Sequence, residues 1–203
     1  MDSKFKIPAQ YHTVQQEIQK SRFITHIEHT PTKEDALAFI NCIRTEHSRA
    51  THNCWAYVAG EPGSSRAIGM SDDGEPHGTA GPPMLQVLQH CGIGEITAVV
   101  TRYYGGIKLG TGGLVRAYSG SVTLGLETLP TAWYEEISQI NIIIPYAEEA
   151  NLRKFLDQHN ATIETLDYSD VVKLILKLPS SKTKEFQAMF YERISNGTLK
   201  FEA

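Results

Sequence analysis

The sequence predicts a two-domain α+β protein, and three observations carry that expectation. Beyond residue 134 the apolar spacing switches between strand and helix periods in the order βαββαβ, a ferredoxin-like split βαβ unit. Before it, strands and helices mix, and two glycine-rich segments fall at strand-to-helix junctions. Between the two patterns, residues 130 to 134 (PTAWY) break the periodicity, so the expected domains are residues 1–134 and 135–203. A chain of 203 residues with 41% hydrophobic side chains can build a core in each.

In the N-terminal part, residues 13 to 28 read as β-rich, with Val14, Ile18, Phe23, Ile24 and Ile27 among polar positions. Thr32 is an N-cap with Asp35 three residues on, opening a helix to about Glu46 whose stripe is Leu37, Phe39, Ile40 and Ile43. Strands are expected over residues 53 to 59 and 66 to 70, around a Glu61-Pro62-Gly63 turn. The polar glycine segment 71 to 81 leads into a helix starting at Pro82 or Pro83, where a missing N–H costs nothing. A strand over 95 to 102, a second glycine segment over 105 to 113 and a helix over 114 to 126 follow.

The C-terminal part reads as a strand over 137 to 146 and a helix over 147 to 159 carrying Ala150, Leu152, Phe155 and Leu156. Two strands, 161 to 168 and 171 to 178, flank a Ser169-Asp170 turn. A helix after Ser180 carries Phe186, Met189 and Phe190, stops at Asn196-Gly197, and leads to a last strand over 198 to 202. This part holds no carboxylate pair, no His/Cys cluster and no glycine loop.

Charge excludes a polybasic binder, because 11 basic face 12 acidic side chains up to residue 134 and 8 face 11 beyond it. Nucleic-acid binding would have to come from a local patch. The three cysteines form no CxxC and no apolar run is long enough to span a bilayer, which points to reduced thiols, no membrane association and a cytoplasmic location.

The segment 104 to 113, YGGIKLGTGG, supplies Gly105, Gly106, Gly110, Gly112 and Gly113 with Thr111, after a strand and before a helix. Backbone N–H groups unobstructed by Cβ atoms at a helix amino end suit an anion. Arg102, Lys108 and Arg116 stand in a stretch, 96 to 126, that has no Asp or Glu. The pattern is neither GxxxxGK[ST] nor GxGxxG, which rules against nucleotide-fold assignments and leaves tight turns and close packing as the alternative role of the glycines. The other segment carries Asp72, Asp73, Glu75 and His77 within six residues, a candidate polar site for acid–base or hard-cation chemistry or, equally, ordinary turn chemistry. Lys20, Arg22 and Phe23 set cations beside an aromatic, useful against phosphate and base; the alternative is a strand with Lys20 and Arg22 outward and Ser21 and Phe23 inward. His52 with Cys54 and His90 with Cys91 match no standard zinc spacing, so neither a metal nor any cofactor is expected.

Taken together, KSRF at 20 to 23, HNCWAY at 52 to 57, SDDGEPHGTAG at 71 to 81 and VVTRYYGGIKLGTGGLVRAY at 99 to 118 resemble the signature of the IMPACT family. That resemblance implies a ribosomal-protein-S-five domain-two type of fold for the N-terminal domain. It also implies a C-terminal domain similar to one of elongation factor G. Eukaryotic relatives regulate translation by interfering with activation of a starvation-responsive kinase, a partner system that is not carried over to this sequence, and the fold of bacterial members points to nucleic-acid or ribosome association. The expectation is therefore a translation-associated protein that binds RNA or the ribosome. Arg102, Lys108, Arg116, Lys20, Arg22 and Phe23 would face the ligand, and Tyr103, Tyr104 or Trp55 would stack on bases. No catalytic constellation is identified. The alternatives are an enzyme on a phosphorylated small molecule, which requires the two glycine segments to meet in space, and a module with a protein partner.

Overall fold

The computed structural model describes residues 4–65, 67–158, 161–193 and 200–202. Its contacts divide the chain into two compact units, Ser3–Tyr134 and Glu135–Ala203, and it is a mixed α+β protein in both.

The first unit contains β1 (Lys6–Pro8), β2 (His12–Ile18), β3 (Ser21–His29), α1 (Lys33–Glu46), β4 (His52–Val58), β5 (Ile68–Ser71), α2 (Gly81–His90), β6 (Ile96–Tyr103), α3 (Thr111–Glu127) and β7 (Thr131–Trp133). Five strands make one antiparallel sheet in the order β2-β3-β6-β4-β5. Helices cover both its faces, which is why β6 reads as a continuous buried run from Ile96 to Arg102 rather than an alternation. On one face Phe23, Ile27, Cys54, Ala56 and Val100 pack against Met84 and Leu88 of α2 and Leu114, Tyr118 and Val122 of α3. On the other, Ala36, Ile40 and Ile43 of α1 lie on Tyr57 and Val99.

The α1 amino end is closed as the sequence predicts, by a capping box. Thr32 Oγ1 accepts from Asp35 N–H and the Asp35 carboxylate accepts from Thr32 N–H. Elsewhere the structure differs from the expectation. The β-rich stretch 13 to 28 is a hairpin whose two-residue turn, Gln19-Lys20, has φ of 47° and 62°, a left-handed pair that usually signals itself through Asn or Gly. α3 begins at Thr111 rather than Leu114, taking Gly112 and Gly113 into its first turn. The predicted break at 130 to 134 is itself a strand, β7, paired antiparallel with β1. Phe5 and Tyr134 stack beside it at 4.6 Å.

The second unit contains β8 (Ile137–Ile144), a 3-10 turn and α4 (Glu149–Gln158), β9 (Thr162–Tyr168), β10 (Val172–Pro179), a second 3-10 turn and α5 (Thr183–Arg193), then β11 (Lys200–Glu202). Its antiparallel sheet runs β11-β8-β10-β9, the ferredoxin-like order, over a core of Ile142, Ile144, Leu152, Leu156, Leu174, Leu176 and Phe186. Several expected features fall outside the described residues: Arg66 at the start of a strand, His159 at the end of a helix, the Asn196-Gly197 stop, the first residues of the last strand, and the side chains of Phe155, Met189 and Phe190.

One buried histidine gives the fold a pH dependence. His26 on β3 is 3% exposed, its Nδ1 is 2.7 Å from the Tyr11 hydroxyl, and the His47 ring stands 4.9 Å away. Burial first, and His47 second, push the His26 imidazole down from 6.5 to about 4. Between those values the unfolded chain binds the proton more readily, so stability falls as pH drops, by about 3 kcal/mol across the window. Urea midpoints are expected to decline from pH 7 to pH 5 and to decline much less in His26→Leu; equal slopes would place the titrating group elsewhere.

Candidate functional site

The first glycine segment follows β5 and turns its acids to separate partners. Asp72 Oδ1 accepts from the N–H groups of Ala80 (2.9 Å) and Gly81 (2.8 Å), and Oδ2 accepts from Gly78 N–H (2.8 Å), closing the amino end of α2. Burial alone would raise the Asp72 pKa, but these three donors, with His77 nearby, outweigh it and hold the carboxyl below its ordinary value. Asp73, in a left-handed conformation (φ 43°), accepts from Asn53 N–H at 2.6 Å and pairs with Arg44 of α1. His77 is fully solvent-exposed.

Glu75 goes inward. Its Oε1 accepts from Arg102 Nη1 at 2.6 Å and from the Tyr118 hydroxyl at 2.8 Å, with all three side chains buried. Arg102 also reaches Ser21 Oγ at 3.3 Å through Nη2 and lies over the Phe23 and Tyr104 rings, each 5.4 Å away, while its buried Nε has no partner among the described residues. Among the described residues, no three His, Cys, Asp or Glu side chains gather as a metal site.

The second glycine segment leaves β6 and crosses the β2–β3 turn. Gly105 N–H donates to Ser21 Oγ at 3.2 Å, and Tyr104 N–H donates to Thr51 Oγ1 at 3.0 Å. Gly106 and Gly110 have φ of 88° and 72°, which a side chain would strain. α3 then starts without a side-chain cap and without an acid in its first turn, although Leu114 N–H already bonds Gly110 O at 2.9 Å. An uncapped amino end of this kind presents unpaired N–H groups and the positive end of the helix dipole.

The two segments meet. Glu75 and Pro76 of the first, and Tyr104, Lys108, Leu109, Gly110 and Thr111 of the second, line one open cleft of about 470 Å³ with Thr51, His52, Arg102 and Leu114. Lys108 and Tyr104 are exposed at its rim, Tyr104 by 46%. The cleft carries two cations, Lys108 and Arg102, against one carboxylate, Glu75.

The other residues named from sequence lie elsewhere. Gly112 and Gly113 are in the first turn of α3, and Arg116, one turn further, borders a separate hollow of about 200 Å³ with Ile18, Gln19 and Leu109. Strand alternation separates the KSRF residues. Phe23 is fully buried beside Tyr118, whereas Arg22 is exposed on the opposite sheet face, its guanidinium 4.5 Å from the Tyr103 ring. Lys20 is exposed in the hairpin turn. Trp55 is half-buried and stacked on Tyr57. Thr51 and His52 are cleft residues that the sequence reading does not place there. His52 shares its face with Cys54 by strand alternation, and Cys54 is a buried thiol whose pKa burial pushes far up.

Residues 19–126 match the Impact N-terminal domain, and residues 142–196 match a domain of unknown function, DUF1949. The chain is 47% identical over 197 residues to IMPACT family member YigZ of Escherichia coli strain K12, covering 97% of this chain and 96% of that protein. It is 38% identical over 180 residues to IMPACT family member YvyE of Bacillus subtilis strain 168, covering 89% of this chain and 82% of that one. A crystal structure described as that of an hypothetical protein aligns over 100% of this chain and 98% of its own, with a TM-score of 0.73 and 45% identity. By domain match and by near full-length similarity, the chain belongs to the IMPACT family.

Proposed function

We propose that this protein is a translation-associated RNA-binding protein that seats a backbone phosphate in the cleft between its two glycine segments. The observation that carries the proposal is the convergence of Lys108, the uncapped amino end of α3 and the exposed Tyr104 ring in one open cleft. A phosphodiester carries a single charge, and two cations against one carboxylate, with the α3 dipole, match that charge. Tyr104 offers a face for a neighbouring base. The link to translation rests on the family.

The reading as an enzyme on a phosphorylated small molecule needs the same convergence, but it also needs a free acid. Asp72 is spent on three backbone donors, Asp73 on Asn53 and Arg44, and Glu75 on Arg102 and Tyr118. The geometry therefore favours binding.

Fluorescence anisotropy with a single-stranded RNA oligomer is expected to show affinity that falls steeply between about 50 and 200 mM salt. Lys108→Ala, a change on an exposed side chain, is expected to weaken binding several-fold and to make the slope of log K against log salt shallower by about 0.7. Salt-independent binding, or none, sinks the proposal. In the latter case saturable binding of a phosphorylated metabolite would restore the enzyme reading.

A further inference from the structure

His52 sits at the start of β4 on the face covered by α2 and α3, and it is the direct cross-strand neighbour of Arg102. Its Nδ1 is 2.8 Å from the carbonyl oxygen of Asp73. A carbonyl only accepts, so Nδ1 carries the hydrogen, and in the neutral ring Nε2 is left with a lone pair. That lone pair lies 3.9 Å from Glu75 Oε1, which already accepts from Arg102 and Tyr118. Two acceptors therefore face one another across the floor of the cleft with no donor between them. The separation is too long for a direct hydrogen bond, and a hydroxyl placed about 2.8 Å from Nε2 would give its one hydrogen to the ring, since Glu75 Oε1 already accepts twice.

We infer that His52 Nε2 accepts a hydrogen bond from a ligand hydroxyl, and that the ribose 2′-hydroxyl of RNA is that donor, so the cleft selects RNA over DNA. The inference rests on the reading of the cleft as a nucleic-acid phosphate site. A phosphate on the α3 amino end would bring its own sugar to the cleft floor, since His52 lines the same cleft as Lys108 and Thr111. The 2′-hydroxyl is the group that distinguishes the two nucleic acids at any one site. Asp73, the residue that fixes the His52 tautomer, is itself anchored by Asn53 and Arg44, so the ring is held ready without the ligand. The role also gives the first glycine segment a function through its backbone carbonyl rather than its carboxylates.

The test compares three oligomers of one sequence, oligouridine, its 2′-deoxy form and its 2′-O-methyl form, on the intact protein at one fixed pH and salt concentration. The methyl ether keeps the ribose pucker and the acceptor oxygen but removes the donated hydrogen. Both modified oligomers are expected to bind about tenfold more weakly than oligouridine, the effect of one lost hydrogen bond to a positioned acceptor. His52→Ala is expected to erase the difference among the three while leaving the salt dependence in place. Equal binding of all three by the wild-type protein overturns the inference and leaves the phosphate reading standing. Weak binding of the deoxy form alone also overturns it, because selection would then come from sugar pucker. Absence of binding by any of them overturns both. The comparison on the wild-type protein holds even if the His52 variant misfolds.

Discussion

Replacing Arg102 with Met is expected to destabilise the first unit by about 3–5 kcal/mol, the range for stripping one partner from a buried ion pair. Arg102 is 5% exposed and Glu75 is 8% exposed, so the variant leaves a largely buried carboxylate that keeps, among the described residues, the Tyr118 hydroxyl as its hydrogen-bond donor. The phenolic hydrogen cannot replace a full positive charge at 2.6 Å. The double variant Arg102→Met with Glu75→Gln is expected to recover much of the loss, because the charge is then gone with its partner. Urea unfolding with an unchanged m-value checks both. A loss below about 1 kcal/mol in the single variant is the magnitude of an exposed pair and would mean that Arg102 is a solvated cation free for a ligand. The distinction matters for the site, since loss of RNA binding in an Arg102 variant would report unfolding before it reported a lost phosphate contact.

Gly105→Ala is the second large effect. A Cβ at this position would overlap the Lys20 carbonyl group and stand 2.5 Å from Ser21 N. These are backbone atoms of the hairpin turn between β2 and β3, so no side chain can swing aside. The turn is already held in a left-handed conformation at Gln19 and Lys20. The substitution must move either the turn or the second glycine segment, and a cost of about 3 kcal/mol is expected, at the upper end for overpacking. Gly106→Ala, whose added Cβ meets open space, is expected to cost about 1 kcal/mol, from its positive φ alone. Thermal melts of the pair check the contrast; equal losses would mean that the second glycine segment does not press on the hairpin turn at Gly105. Close packing thus accounts for Gly105, while Gly106 and Gly110 serve conformation.

The parts of this fold that were legible in the sequence are those decided locally. Thr32 and Asp35 stand three residues apart and their reciprocal bonds need nothing beyond the helix they open. The βαββαβ order of the second unit follows from apolar periodicity, and its sheet order follows from that topology. The helix amino end, the glycines and the absence of acids around the second glycine segment are likewise written within one stretch. What stayed hidden depends on separation along the chain. The β1–β7 pair joins three-residue strands from opposite ends of its unit, too short for any period to register. The Gln19-Lys20 turn lacks the usual residues for positive φ. Arg102 reads as a free cation until Glu75, 27 residues earlier, is seen to turn inward against it. Asp72 and Asp73 read as candidate chemistry until their carboxylates are seen bonded to backbone and to Arg44. His52 stood out only beside Cys54 as a metal-ligand candidate, and its place in the cleft comes from β4 lying beside β6.

If the amino end of α3 and Lys108 form the phosphate seat, amide chemical shifts during titration with a single-stranded RNA oligomer will locate it. The largest shifts are expected at Thr111, Gly112 and Gly113, with Lys108 and Tyr104 following and salt reversing them together. Shifts centred instead on Arg22 and Tyr103 on the opposite sheet face, with the α3 amides unmoved, would contradict it.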